Sequence, residues 1–192
     1  MTGPSPAPLP PWATAKTAGM PAPDSPLDRQ YAAFVGPRWA TYRRKFAPFF
    51  EDARFQPTWN WAAALCTLFG PLWFLYRKLY VPAIAFWMLP QIALSLLWRG
   101  EPISMQDVTT NADLKLLVGG VTLSTVILAG GTANFLLFRR AQAAIRLVQS
   151  RGASEEQAQS LLARVGRVNA IAVLGGLALM LVSFGLYQGG VR

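Results

Sequence analysis

The sequence predicts an all-α integral membrane protein, with three transmembrane helices, one re-entrant or in-plane apolar segment and an N-terminal interfacial amphipathic helix. Three observations predict it. Hydrophobic residues make up 53% of the chain and charged residues 14%, whereas soluble domains carry about 25% charged residues. The charges avoid long apolar runs: between Thr58 and Trp98 only Arg77 and Lys78 are ionised. Finally, Lys and Arg are distributed unevenly among the segments that separate those runs, as the positive-inside bias requires.

Residues 1–30 hold eight prolines among Ala, Ser and Thr, with almost no apolar periodicity. Such a segment buries too little surface to offset its ordering entropy, so it reads as a disordered tail with polyproline character. It lacks the apolar core of a signal peptide, which gives no reason to expect cleavage or export. Residues 31–192 read as a single membrane domain.

The interfacial helix is expected over 37–50. Pro37 suits a first helical position, and Trp39, Tyr42, Phe46, Phe49 and Phe50 recur at spacings of three and four. They form one face, flanked by Arg43 and Lys45. Two arrangements suit that pattern: the helix lies in the head-group layer with its basic side chains snorkelling, or it folds back on the protein's own bundle. Pro48 is expected to end or kink it.

The next apolar stretch, 61–75, is about fifteen residues long, short for a hydrocarbon core of about 30 Å at about 1.5 Å per residue. Gly70-Pro71 divides it, Gly suiting a helix end and Pro a helix start. Three full spans follow at 79–98, 116–138 and 168–187. Pro82 falls in the first turn of the first span and Pro90 near its middle, where a bend is expected. Between the last two spans, Ser154 and Gln157 are spaced as a capping box, followed by Ala158, Leu161, Leu162 and Val165 at helical spacing.

The basic segments are the one before Trp61, the Arg77-Lys78 pair, and Arg139–Arg167 with six arginines against Glu155 and Glu156. The segment Arg99–Lys115 has a basic residue only at each end. Placing the three basic segments in the cytoplasm satisfies the bias throughout. The segment 61–75 must then enter and leave on the same side, so three crossings plus a half-segment are favoured over four crossings.

A net charge of +9 raises the question of nucleic acid. The cations flank apolar runs, however, where anionic lipid head groups account for them, and no nucleic-acid partner is expected. The chain has no His and a single Cys, Cys66. That removes His- and Cys-based metal sites, His-dependent nucleophilic catalysis and an internal disulfide. Glu101, Asp107 and Asp113 match no calcium loop and read as a solvated face. No Asp, Glu, Lys or Arg lies within the three full spans, which argues against an ion-coupled transporter. The polar residues at depth, Gln91, Ser95, Thr122, Ser124, Thr125, Thr132, Asn134 and Ser183, read as interhelical hydrogen-bonding groups. Tyr76-Arg77-Lys78 reads first as an interfacial anchor and second as a grip on an anionic head group.

Asn60-Trp61-Ala62-Ala63, Gly70-Pro71-Leu72-Trp73 and Tyr76-Arg77-Lys78-Leu79-Tyr80 together resemble the hallmark of a widespread family of small bacterial inner-membrane proteins known only as a domain of unknown function. Ala133-Asn134-Phe135-Leu136-Leu137-Phe138, running into Arg139-Arg140, is similar to that family's second mark. It departs from the mark at Leu136-Leu137, where tyrosines are common, and at Arg140, where histidine is common. The resemblance covers residues 30 to 150. It implies the bacterial inner membrane as location and supplies no catalytic residue.

The reading is therefore a non-enzymatic structural or accessory subunit in an anionic lipid bilayer, binding a membrane-protein partner or itself. A small oligomeric channel or permease is the alternative. A lipid-acting enzyme ranks below both, since no nucleophile–base pair stands out. No catalytic, cofactor-binding or metal-binding residue is assigned. The last two spans are expected to pack through small residues, Gly120, Ser124 and Gly131 against Ala172, Gly176 and Ser183, with Asn134 bonded to Asn169.

Overall fold

The structure, a computed structural model, describes residues 19–51, 54–98, 103 and 105–189. All regular structure among these residues is helical. Helix α1 (Pro26–Val35) begins inside the stretch expected to be an irregular tail. The Ser25 hydroxyl accepts the Asp28 N–H at 3.2 Å, and Pro26 occupies the first helical position, a pairing of cap and proline that starts helices readily. Residues 1–18 lie outside the described residues. Gly36, at φ 82°, ends α1 and donates to the Ala32 carbonyl at 2.8 Å.

Helix α2 (Trp39–Glu51) carries the expected aromatic face, and all five aromatic residues are buried. They pack on the protein, the second of the two arrangements the sequence leaves open. Tyr31 from α1 stacks on Trp39 and on Phe138, with ring centroids 5.6 and 6.1 Å apart. Phe46 and Phe50 meet Phe138 edge-on at 5.3 and 5.0 Å. Aromatic pairs in these geometries add attraction beyond the area they bury. Pro48 lies inside α2, which continues to Glu51. Asp28, itself buried, accepts from the Trp39 indole at 3.2 Å and from Arg43 Nε at 3.0 Å, tying α1 to α2.

The stretch 61–75 forms a helical hairpin. Helix α3 (Trp61–Thr67) is capped by Asn60, a turn centred on Gly70 at φ 87° reverses the chain, and α4 (Leu72–Tyr76) returns. Helix α5 (Tyr80–Leu97) follows, then α6 (Met105–Thr110), which falls within the segment Arg99–Lys115 between the first two full spans. Helix α7 (Ala112–Ser150) contains the second apolar span and runs on through Arg139 and Arg140 without a break. Helix α8 (Glu155–Gly166) starts with the predicted capping box: Gln157 N–H donates to Ser154 Oγ, and Ser154 N–H donates back to Gln157 Oε1 at 3.1 Å. Helix α9 (Ala170–Gly189) is the last apolar segment.

Among the described residues, three helical segments are long and apolar enough to cross a membrane: Tyr80–Leu97, Ala112–Ser150 and the stretch Glu155–Val182. The core lies at one end of them, where α1, α2 and α8 cover the C-terminal half of α7.

The expected seam between the last two spans is not what positions α9. Helix α9 packs along α4, with Gly176 facing Leu72 and Leu75. A side chain added at Gly120 or Gly131 would meet open space. Asn169 bonds the Tyr80 hydroxyl at 2.9 Å, while Asn134 finds its partners on the hairpin. Two of the threonines expected to bond between helices, Thr125 and Thr132, donate to carbonyls one turn back on α7, the short-range alternative open to any helical hydroxyl.

Candidate functional site

Two polar centres hold the hairpin, one at each end. The first is made by Asn60 and Asn134, both buried. Asn60 Nδ2 donates to Asn134 Oδ1 at 2.8 Å, and Asn60 Oδ1 accepts the Ala63 N–H at 3.2 Å as helix cap. Asn134 Nδ2 in turn donates to the Thr58 carbonyl at 3.0 Å and the Thr58 hydroxyl at 3.1 Å. These contacts orient both amides, because reversing either would oppose two donors or two acceptors. The Asn60 N–H also bonds the Gly130 carbonyl at 2.9 Å. The close approach depends on Gly130: a Cβ there would lie 2.9 Å from the Trp59 ring and 3.0 Å from Ala64 Cβ.

The second centre lies where α4 ends. Lys78 takes a left-handed conformation, φ 55°, while the Leu79 N–H bonds the Phe74 carbonyl at 2.8 Å and the Lys78 N–H bonds the Leu75 carbonyl at 3.0 Å. This is a Schellman turn, completed by the apolar residues Phe74 and Leu79, both buried. A non-glycine residue at that φ costs on the order of 1 kcal/mol or more. The turn places consecutive cations on different neighbours. Lys78 Nζ donates to the Arg164 carbonyl of α8 at 3.4 Å. Arg77 points inward, 6% exposed, and its Nη1 donates to the Val35 carbonyl of α1 at 3.4 Å. From α7, Arg140 Nη1 donates to the Arg77 carbonyl and Nη2 to the Val165 carbonyl at 3.2 Å.

Arg77, Lys78 and Arg140 thus converge on carbonyls at the C-terminal ends of α1, α4 and α8. Those groups lack intrahelical donors and carry the negative end of the helix dipole, so cations suit them. Much of the basic character at this end of the molecule is used in joining helix ends.

Arg77 also lines a cleft of about 730 Å³, bounded by the end of α1, the start of α2, the hairpin and the start of α9. Its guanidinium sits over the Tyr42 ring at 5.2 Å and the Tyr76 ring at 5.9 Å. Arg77 Nε is buried and meets no acceptor among the described residues. Arg38 and Arg167 share the lining with it, and no described acidic side chain does. The ion pairs among the described residues, Arg29 with Glu155 and Arg43 with Asp28, lie elsewhere.

Asp107 lies on α6, Asp113 lies in the first turn of α7, and Glu101 falls outside the described residues. Sequence reasoning singled out Arg77 but missed Gly166, whose lack of a side chain lets α8 end against the backbone of Phe34. No local pattern marks such a contact.

Among the described residues, fold and site together define an all-helical membrane-capable architecture, with three helices long and apolar enough to cross a membrane and a short helical hairpin pinned among them. The chain belongs to the DUF2628 family of proteins of unknown function, whose family model matches residues 29–142. That match runs from α1 into α7 and includes Asn60, Arg77, Asn134 and Arg140. No curated protein and no solved structure matches the chain.

Proposed function

We propose that this is a three-span protein of the bacterial inner membrane, acting as a non-enzymatic accessory subunit that binds a membrane partner. In this reading the hairpin is re-entrant, and α1, α2, α8 and the Arg77-Lys78 turn lie on the cytoplasmic side. Distances along α9 support the re-entrant placement. The Asn169 N–H bonds the Tyr76 carbonyl at 2.9 Å, and Met180 reaches Gly70 at the hairpin tip. Eleven residues of helix separate those contacts, about 16 Å at 1.5 Å per residue, or about half of the hydrocarbon thickness.

The observation that carries the accessory role is how little the spans cover one another. In α5, Val81, Ile84, Leu89, Ile92 and Leu96 are exposed, as are Ile171, Leu174, Leu179 and Leu181 in α9. The packing is concentrated in the cap, which holds the spans at their basic ends and leaves two apolar faces to lipid or to another protein. Lipid offers no hydrophobic drive for association, so a protein partner must recognise these faces by shape.

A photo-crosslinking side chain at Ile84 or Leu174, activated in native membranes, tests this. A discrete adduct with another protein, the same from either position and absent when the label is on exposed Leu161 of the cap, is the expected result. Adducts only between copies of this chain would favour the oligomeric channel or permease. Adducts with lipid alone would overturn both readings.

A further inference from the structure

We infer that the cleft at Arg77 binds the phosphate of an anionic phospholipid, with the lipid's acyl chain lying along the apolar wall of the hairpin. The inference rests on the membrane placement proposed above. A guanidinium carries five N–H donors, and Arg77 has one bond to a carbonyl, at 3.4 Å, while its Nε meets no acceptor. A buried charge is costly unless it is paired and hydrogen-bonded. The Tyr42 and Tyr76 ring faces offset part of that cost through cation–π attraction, but they accept no N–H bond from Nε.

The nearby side chains make the local balance more positive. Arg38 and Arg167 share the cleft, and Lys78 and Arg140 hold the turn beside it. The missing partner is therefore an anion, and phosphate oxygens match the planar fork of arginine donors. The remaining lining chooses the source of that phosphate. Ala62 and Leu72 of the hairpin and Val173 of α9 continue the cleft as an apolar wall. A free phosphate would use only the arginine end. A phospholipid uses both, and a volume of about 730 Å³ suits a head group with the first part of a chain.

The test uses the full chain, purified in a mild non-ionic detergent and stripped of lipid. Native mass spectrometry then measures binding of phosphatidylglycerol, phosphatidylcholine and inorganic phosphate. Phosphatidylglycerol should bind about tenfold or more tighter than phosphatidylcholine, and inorganic phosphate in equal amount should not displace it. Arg77→Gln should weaken phosphatidylglycerol by about tenfold, the scale of one charge-assisted hydrogen bond, with Arg77→Lys intermediate. Ala62→Phe, at an exposed position, should also weaken the lipid while leaving Arg77 in place, and it decides the matter if Arg77→Gln fails to fold. Equal binding of the two lipids would overturn the inference, as would wild-type affinity in the variants. Tight binding of inorganic phosphate that Ala62→Phe does not alter would show a free anion to be the ligand and overturn the lipid source. Thiol accessibility in cells reports the membrane placement independently, so its failure is distinguishable from a failure of binding.

Discussion

Asn60 donates its side-chain amide to Asn134 at 2.8 Å across 74 residues of sequence, and both side chains are buried. The bond joins the cap of α3 to the middle of α7, and so fixes where the hairpin begins. It also joins the two stretches of sequence in which the family resemblance is expressed. Each amide has further partners in Thr58 and Ala63, which makes the pair a closed network.

Asn134→Ala should therefore be among the most damaging single changes in the spans. It strands the buried Asn60 amide, at about 1–3 kcal/mol for a buried group left unpaired, and takes its donor from the Thr58 carbonyl. Gly176→Ala should cost less, because its nearest neighbour is the end of the Leu75 side chain, which can turn away. Thermal unfolding in detergent checks the order. A smaller loss for Asn134→Ala than for Gly176→Ala would mean that the hairpin is not held by this network.

At Gly166 the constraint is backbone against backbone. A Cβ there would lie 2.6 Å from the Phe34 carbonyl carbon and 2.8 Å from Phe34 Cα. Gly166→Ala should push α8 away from α1 and loosen the Arg140 and Lys78 bonds to α8, destabilising by about 1–3 kcal/mol. Gly120→Ala is the contrast, since open space surrounds it. It should be neutral, or stabilising by up to about 1 kcal/mol through helix propensity. A destabilising Gly120→Ala in the same unfolding assay would show that the small-residue stripe meets another copy of the chain.

The aromatic cap makes stability fall at alkaline pH. Burial among rings raises the Tyr31 phenol above its ordinary value of 10.0, opposed to a lesser extent by the Arg146 charge and a bond with Gln142. Above about pH 10 the unfolded chain releases this proton while the folded chain keeps it. The unfolded state then binds fewer protons, so unfolding becomes easier as pH rises. Lys45 acts in the opposite sense and at lower pH: burial lowers its pKa, so it is below its ordinary value of 10.5 that the unfolded chain holds the extra proton. Tyr31→Phe should flatten the alkaline loss of stability in urea titrations at successive pH values. An unchanged slope would assign the loss to other groups.

That three helices are apolar and long enough to cross a membrane was legible because apolar runs of that length have one solvent that suits them, and the α8 start because a capping box is a short-range signal. Helix α1 was not, since Ser25 and Pro26 lie among prolines whose composition argued for irregular chain. The continuation of α7 to Ser150 was obscured by Arg139 and Arg140, which end an apolar run without ending a helix. At the site, the inward role of Arg77 could not be separated from that of Lys78, because a left-handed turn divides them. Partner choice between spans was the least legible. By depth Asn134 was expected to bond Asn169, and only the path of the hairpin brings Asn60 to it instead.

The membrane path itself gives the last prediction. Arg77 and Lys78 sit beside Arg140, Arg164 and Val165, so whichever side receives α8 must also receive the turn between α4 and α5. A four-crossing chain would keep these residues together, since α5 and α7 lie between them, but it would put α1 and α2 on the opposite side of the bilayer, breaking the Arg77 bond to the Val35 carbonyl and the packing of α1 on α8. With the cytoplasmic assignment, single cysteines at exposed Thr41 on α2, at Lys78 and at Ser154 should resist an impermeant thiol reagent in cells with a permeabilised outer membrane. A cysteine at exposed Thr109 on α6 should react. The background is Cys66→Ala, which removes the chain's one native thiol. Reaction at Thr41, Lys78 and Ser154 with protection at Thr109 would invert the protein while leaving the hairpin re-entrant. Reaction at Lys78 and Ser154 with protection at Thr41 and Thr109 would instead require the hairpin to cross, and would break the cap that joins α1 to α8. Because the two failures leave different labelling patterns, one set of four cysteines separates an error of orientation from an error of path.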